Sequence, residues 1–363
     1  MSAITIGGDL IHYEKLGRGR PVILVHGWIG SWRYWIPLMQ RLHTSFSVYT
    51  LDLIGFGDSS KNADHYSIEK QVAMLETFLE QLGIPKAAII GHGLGSMVVL
   101  QFALNNPDKV ARMMLNSLPL FDPGGLQTRV GPDTRRKLTS NSGGDRYSLA
   151  PSIEDVMGSD QTIPSSGTGA DKTIVSGSSG IYTPFHELPT VGRPDTENID
   201  RDALKRAAEE RRRKQNAGNP LSDLFKGQKP INLLGKCFDT REPEFDKLKV
   251  DVEKSDSRTL NLSVQDYEAG EILDDLHRAD APILLVHGAN DPVLPLPQPS
   301  NDVLDYLTGK NKSEYPLVPV ILDDTRHFPM LEHDLYSRLT NDFLTKPDIS
   351  KIELRGVWKR RSY

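Results

Sequence analysis

Two hydrophobic rhythms alternate along the chain, and their order predicts most of its elements. Short unbroken apolar runs occur at 22–25, 87–90 and 282–286, and such runs suit strands buried on both faces of a parallel sheet. Between them, apolar residues recur three and four apart, the spacing of a helix with one buried face. Ile4, Ile6, Leu10, Ile11 and Tyr13, broken by Gly7-Gly8, predict an opening two-stranded hairpin over 3–15. A helix is predicted over 32–43, with Trp35, Leu38, Met39 and Leu42 on its face, and a strand over 47–52. A second helix is predicted over 67–82, where Ser67 caps the start and Gly83 ends it, although Lys70 stands where a capping box would place Glu. The strand at 87–90 runs into a helix reaching about Leu104, stopped by Asn105-Asn-Pro107, and Val110–Asn116 is the next strand. This strict succession of strand and helix argues for an α/β sheet of parallel strands joined by right-handed crossovers.

The rhythm stops after Asn116. Residues 130–198 are rich in Ser, Gly, Thr, Pro and Asp and read as a flexible or disordered excursion. Residues 200–215 have helical propensity but are heavily charged, ending in Arg211-Arg-Arg-Lys214. They read as a solvated helix face, since four cations without an interleaved aromatic make a poor nucleic-acid patch. Helical patterning returns over 220–276, as in Leu260, Leu262, Val264, Tyr267 and Ile272. The sheet then resumes at Pro282–Val286 and closes with Val318–Leu322. Pro319 cannot donate to a ladder, so this last strand belongs at an edge. A closing helix is predicted over 332–344, followed by a basic tail over 346–363 that packs by Trp358 or frays. These breaks divide the chain into 1–123, an insertion over 124–276, a second core part over 277–345, and the tail.

Composition narrows the class. The chain has 363 residues, 38% of them hydrophobic and 25% charged, enough to bury a sizeable core. A net charge of −5 exerts no pull on nucleic acid or an anionic membrane. The single cysteine, Cys237, excludes an internal disulfide framework and fits a reducing compartment. No apolar run approaches the roughly 18 residues of a membrane span, and the first eight residues lack a secretory signal's basic and apolar regions. A cytoplasmic, soluble protein is the expectation. No phosphate loop, metal-ligand cluster or dinucleotide fingerprint is present, so no cofactor and no metal are expected.

Candidate chemistry sits at strand ends. Ile89-Ile-Gly91-His-Gly93-Leu-Gly95-Ser96 is a strand running into a glycine-rich turn and then a helix. That is the layout of a nucleophile elbow, Gly-x-Ser-x-Gly, with glycine at the central position 93. His26-Gly27-Trp28, Asp52-Leu-Ile-Gly-Phe-Gly-Asp58-Ser59, Gly288-Ala-Asn-Asp291-Pro-Val and His327-Phe-Pro-Met-Leu-Glu332 follow four other strands. In this order, over residues 1–123 and 277–345, the chain resembles the α/β-hydrolase superfamily. The resemblance implies an α/β-hydrolase fold: a mostly parallel sheet flanked by helices, with a long cap or lid inserted after strand 6. It implies that Asp291 orients His327 as the base, that Gly93 occupies the nucleophile position, and that the backbone N–H groups of Trp28 and Leu94 form an oxyanion hole. It also implies a small-molecule ligand or substrate under the cap, with residues 200–276 as the cap proper.

Other residues have plainer readings. His26 and His92 read as structural hydrogen-bonders beside their turns, and Asp52 and Asp58 as side chains that hold their loop through backbone bonds. Ser96, in the first helical turn, packs or bonds a free backbone group, and Cys237 lies on no identifiable turn; neither replaces the nucleophile. Leu221, Leu224, Phe225, Leu233 and Leu234 are expected in packing more than in a pocket. Arg326 occupies a place where the family has a small glycine, which bears on pocket access.

An elbow residue is held at positive φ, at a cost of about 1–3 kcal/mol for any residue but glycine. Glycine at 93 therefore relieves strain while deleting the hydroxyl, so no acyl-enzyme can form there. Three functions follow. One is a catalytically impaired pseudo-hydrolase that binds a small apolar or ester-like ligand or a partner. A second is catalysis without a nucleophile, through the His327/Asp291 dyad and the backbone oxyanion hole. The third is a serine ester or amide hydrolase inactivated by an introduced Ser-to-Gly change.

Overall fold

The computed structural model describes residues 2–121, 219–265, 267, 269–297, 300–308, 315–332 and 335–352. The excursion expected over 130–198, the charged stretch over 200–215 and most of the basic tail, Trp358 included, lie outside the described residues. The opening hairpin is β1 (Ser2–Ile6) and β2 (Asp9–Leu16). β3 (Arg20–Val25), β4 (Phe46–Leu51), β5 (Ala87–His92) and β6 (Val110–Asn116) precede the insertion, and β7 (Ile283–Gly288) and β8 (Leu317–Leu322) follow it. They form one eight-stranded sheet in the order β1-β2-β4-β3-β5-β6-β7-β8. The hairpin enters antiparallel, and every pair from β4 to β8 is parallel. β4 and β7 are buried along their whole length, as continuous apolar strands between layers must be. β8 is the edge strand, with Pro319 in register with Leu285.

The helices are α1 (Ile36–Leu42), α2 (Ile68–Gln81) and α3 (Leu94–Asn105) before the insertion. Within and after it the described helices are α4 (Pro220–Phe225), α5 (Pro230–Cys237), α6 (Pro243–Lys254), α7 (Thr259–Leu262) and α8 (Ala269–Arg278), then α9 (Ser300–Thr308), α10 (Pro329–Glu332) and α11 (Tyr336–Thr345). Two boundaries differ from the sequence pattern. The helix expected over 32–43 opens as a 3-10 turn at Trp32–Trp35, because Pro37 has no N–H to continue a ladder and starts α1 instead. The closing helix expected over 332–344 is α11, Tyr336–Thr345, with the short α10 at Pro329–Glu332 ahead of it. α9, with Val303 and Leu307 buried one turn apart, carries no strong signal in the sequence.

Ser67 caps α2 by accepting from the Lys70 amide at 3.3 Å, and Val72, Leu75, Phe78 and Leu79 form its buried stripe. Each such side chain contributes about 1.5–3 kcal/mol on burial. Gln71 lies in the same stripe and is fully buried. Its amide exchanges two hydrogen bonds with the backbone of Ile54, at 3.0 and 2.8 Å, so a polar residue on an apolar face ties α2 to the loop after β4. α3 packs on α2 and on β5 and is buried on nearly every side. Gly95 permits this approach, since a Cβ there would meet the His26 carbonyl oxygen at 2.6 Å. The described residues belong to one compact unit, 1–137 with 210–363.

Candidate active site

β5 ends at His92, and α3 begins at Leu94. The residue between them, Gly93, has φ 53° and ψ −115°, the left-handed turn that an elbow requires. Its amide donates to the Asn116 carbonyl at the end of β6, 2.9 Å away. A Cβ built on Gly93 would lie 3.3 Å from Trp28 Cε3 and 3.6 Å from Gly27 Cα. The loop after β3 thus runs directly beside the elbow, which brings the backbone of Trp28 and Leu94 to adjoining turns. The Trp28 indole is itself fully buried. Its Nε1–H donates to Ser263 Oγ at 2.9 Å, and its ring meets Phe225 edge-on at 4.9 Å.

The loops after β7 and β8 bring Asp291 and His327 together. His327 Nδ1 donates to Asp291 Oδ2 at 2.9 Å, with both side chains inaccessible to solvent. Asp291 Oδ1 accepts from the amides of Val293 and Leu294, each at 2.9 Å. Burial opposes ionisation of Asp291, but the His327 and His287 imidazoles and the Leu294 amide outweigh it and hold its carboxyl below its ordinary value. Because Nδ1 carries the proton, Nε2 presents a lone pair, and this atom is buried with no hydrogen-bond partner among the described residues. His287, on β7, donates Nε2–H to the Leu294 carbonyl at 2.7 Å and lies 3.8 Å from Asp291.

His26 and His92 are structural links, as their sequence positions imply. The Leu53 amide donates to His26 Nε2 at 3.0 Å, while His26 Nδ1 donates to the Gly27 carbonyl at 2.8 Å. His92 belongs to a directional chain. The Gly27 N–H donates to Tyr34 Oη at 2.7 Å, the phenol donates to His92 Nδ1 at 2.9 Å, and His92 Nε2–H donates to the His327 carbonyl at 2.8 Å. Burial, then the His327 imidazole, pushes the pKa of His92 well below its ordinary value, so it stays neutral and keeps this tautomer.

Asp52 does hold its loop, accepting from the amides of Trp32 and Asp58, both at 2.9 Å, and facing His12 Nδ1 at 3.2 Å. Asp58 does not act through backbone bonds: its carboxylate takes Lys254 Nζ at 2.7 Å and Arg33 at 3.5 Å. A surface carboxylate beside two cations is drawn to them rather than to its own turn. His12, Asp52 and Asp58 have ligand atoms within 4.8 Å of one another, and the Asp58 carboxylate is already paired with Lys254.

Ser96 donates to the Asn116 carbonyl at 2.8 Å and is fully buried, so its hydroxyl is spent on β6. Cys237, also buried, has its thiol pushed up by burial and by the charge of Asp291, the reverse of an activated nucleophile. Leu221, Phe225, Leu233 and Leu234 are buried in the core. Arg326 turns away from His327: it donates to both oxygens of Glu242 at 3.0 and 2.8 Å and to Glu332 at 2.8 Å, and stacks 4.7 Å above the Phe238 ring. Glu332 also accepts from the Phe328 amide at 2.9 Å, shaping the turn that carries the base. Tyr34, Asn116 and Glu242 were silent in the sequence, since each acts through partners far along the chain, whereas Glu332 acts within its own turn on Arg326 and Phe328. A cavity of about 330 Å³ lies between α3 and α8, lined by Met97, Leu100, Ser263, Tyr267 and Ile272.

Comparison with known proteins bears on the fold. Residues 20–132 match the family model described as alpha/beta hydrolase fold. The soluble epoxide hydrolase of Corynebacterium sp. (strain C12) is 34% identical over 110 residues, 30% of this chain and 38% of that protein. The human (lyso)-N-acylphosphatidylethanolamine lipase is 34% identical over 113 residues, 30% of this chain and 32% of that enzyme. The chain thus spans about a third of the length of these curated relatives. A solved hydrolase from Pseudomonas aeruginosa PA01 shares the fold, with a TM-score of 0.56 at 15% identity over 95% of this chain and 98% of that one. A fold shared along the chain and a sequence match across β3 to β6 give one answer: the chain has the α/β-hydrolase fold.

Proposed function

We propose that this protein is a pseudo-hydrolase that binds a small ligand at the elbow and forms no acyl-enzyme. The observation that carries the reading is the combination of an elbow turn at Gly93, with φ 53° and no hydroxyl, and a buried His327 Nε2 without a partner among the described residues. A serine at 93 would supply the group that this nitrogen lacks. Here the site keeps its acid, its base and the turn, and a bound ligand takes the place of the hydroxyl. The amides of Trp28 and Leu94 are the donors assigned to its oxygen, and helices α4 to α7 act as the cap that roofs it.

A second reading has its own support. Asp291 sets the His327 tautomer at 2.9 Å, and a lone pair so oriented serves as a general base on water or on an acidic C–H or O–H. One experiment separates the two. The protein and its Gly93→Ser form are assayed on a panel of short activated esters. Binding without turnover in the glycine form supports the pseudo-hydrolase reading. Turnover in the glycine form that disappears with His327→Ala overturns it in favour of the dyad. Turnover confined to the serine form, at ordinary hydrolase rates, marks the remaining machinery as intact and an inactivated serine hydrolase as the parent.

A further inference from the structure

We infer that the cavity between α2, α3 and α8 is a second binding site, which takes a small organic ammonium compound carrying one uncharged oxygen acceptor. This site stands apart from the elbow reading: among the described residues, neither Gly93 nor His327 lines the cavity.

The cavity has the size and lining of a small-molecule site. Its volume of about 330 Å³ falls at the lower end of the roughly 300–1,000 Å³ that such sites span. Met97 and Leu100 on α3 and Ile272 on α8 are buried and give it an apolar wall. Glu69 at the start of α2 and Asn105 at the end of α3 are exposed, and they mark its mouth.

One buried group on that wall has a bond to spare. Ser263 lines the cavity and is 3% exposed. Its Oγ accepts the Trp28 Nε1–H at 2.9 Å, but its own hydrogen has no acceptor among the described residues. A hydroxyl donates once besides accepting, so the donor is the part of Ser263 left for a ligand. An unmade buried bond is unfavourable, and a carbonyl or ether oxygen in the cavity completes it.

The charge around the cavity selects a cation. Glu69 and Asp275 both line it, and among the described residues no Lys, Arg or His does. Burial pushes the Asp275 carboxyl up, against the opposing pull of Arg278, which donates to it at 2.9 Å. Arg278 is itself 63% exposed, so solvent screens that pair, and an ammonium group in the cavity gives the carboxylate a second, drier partner. The twelve-residue α3 ends here at Asn105 with no basic residue in its last turn, and the carbonyls of a helix C-terminus add partial negative charge. The α2 N-terminus, which alone would favour an anion, is already capped by Ser67 and carries Glu69 in its first turn.

The test is calorimetric titration of the protein with N-acetylcadaverine, which joins an ammonium group to an amide oxygen through a flexible apolar chain. N-hexylacetamide lacks its charge, N-acetylaminocaproate reverses the charge, and hexylammonium lacks the oxygen. The expected result is saturable binding of N-acetylcadaverine, with each of the other three weaker by about tenfold or more. Glu69→Gln, at an exposed position that spares the fold, and Asp275→Asn each weaken the cation and leave N-hexylacetamide unchanged. Ser263→Ala removes the preference for N-acetylcadaverine over hexylammonium. Trp28, whose indole shares the Ser263 hydroxyl, reports binding by its emission, and Trp28→Phe removes that signal. Equal binding of N-hexylacetamide and N-acetylcadaverine overturns the inference, as does the absence of saturable binding by all four compounds at millimolar concentration. Cation binding that both carboxylate variants leave unchanged also overturns it. Where Gly93→Ser abolishes such binding, the ligand sits at the elbow, so the second site falls and the elbow reading stands.

Discussion

His92 donates its Nε2–H to the backbone carbonyl of His327 at 2.8 Å, so the residue before the elbow glycine holds the residue that carries the base. Tyr34 supplies the other end of the link by donating to His92 Nδ1 while accepting from Gly27. Three loops that follow β3, β5 and β8 are thereby registered to one another through two side chains.

Tyr34→Phe removes only the phenolic oxygen and leaves the Gly27 N–H and His92 Nδ1 without partners inside the core. The expected loss of stability is about 1–3 kcal/mol, the cost of stranded buried polar groups. Urea denaturation measures it, and the proton resonance of His327 Nδ1–H should shift with it. An unchanged resonance would show that the link does not reach the base.

Gly93→Ser and Gly93→Ala both force a side chain onto φ 53° and toward the Trp28 ring. Each variant is expected to unfold about 1–3 kcal/mol more easily, because the backbone strain precedes any question of the hydroxyl. Equal midpoints for glycine, alanine and serine forms would contradict the strained turn.

The Arg326–Glu242 pair is a source of acid sensitivity. Arg326 hydrogen bonds hold the Glu242 carboxyl down to about 2 from an ordinary 4.5. A carboxyl lowered on folding contributes stability that is complete above its ordinary value and is lost as pH falls through the folded value. The contribution of the pair is thus present above about 4.5 and fades toward about 2. Its size is small, since both side chains are about a third exposed, at 33% and 35%, and solvent screens them. Glu242→Gln should flatten this part of the urea midpoint against pH while leaving the neutral region nearly unchanged. Arg326→Met should cost more at every pH, since Glu332 and the Phe238 ring lose their partner as well.

Asp52→Asn tests the loop after β4. The carboxylate accepts from two amides and faces His12, and loss of a buried, paired charge costs about 3–5 kcal/mol. Thermal and urea unfolding should both register the change. A loss below about 1 kcal/mol, the scale of exposed pairs, would mean that the loop is held elsewhere.

The legible part of this protein is the part written locally. Val22–Val25, Ala87–Ile90 and Ile283–Val286 are strands because continuous apolar runs need cover on both faces, and each proved to be buried in the sheet. Ser67 and Gly83 bracket α2 through bonds within one turn. Pro319 placed β8 at the edge because a missing N–H is a property of one residue. The positive φ at Gly93 was readable for the same reason: an elbow between strand and helix has one geometry, and glycine suits it.

Other features had no local trace. Gln71 reads as a polar break in an apolar stripe, and only the return of the Ile54 loop gives its amide both a donor and an acceptor. Asp58 reads as a turn residue until Lys254, 196 positions on, arrives at 2.7 Å. Arg326 reads as a bulky residue beside the base, and only Glu242 and Glu332 show where its guanidinium is held.

What the sequence determined by itself was the strand succession, the fold family it implies, and the chemical identity of each loop's reactive group, including the absent hydroxyl at 93. The tertiary structure alone decided that His327 Nε2 is left buried without a partner among the described residues, and that Tyr34 and His92 register the loops around it. The division has a physical cause. Propensity and hydrophobic period act over a few residues, whereas a buried hydrogen bond exists only when two distant segments are brought within about 3 Å of each other.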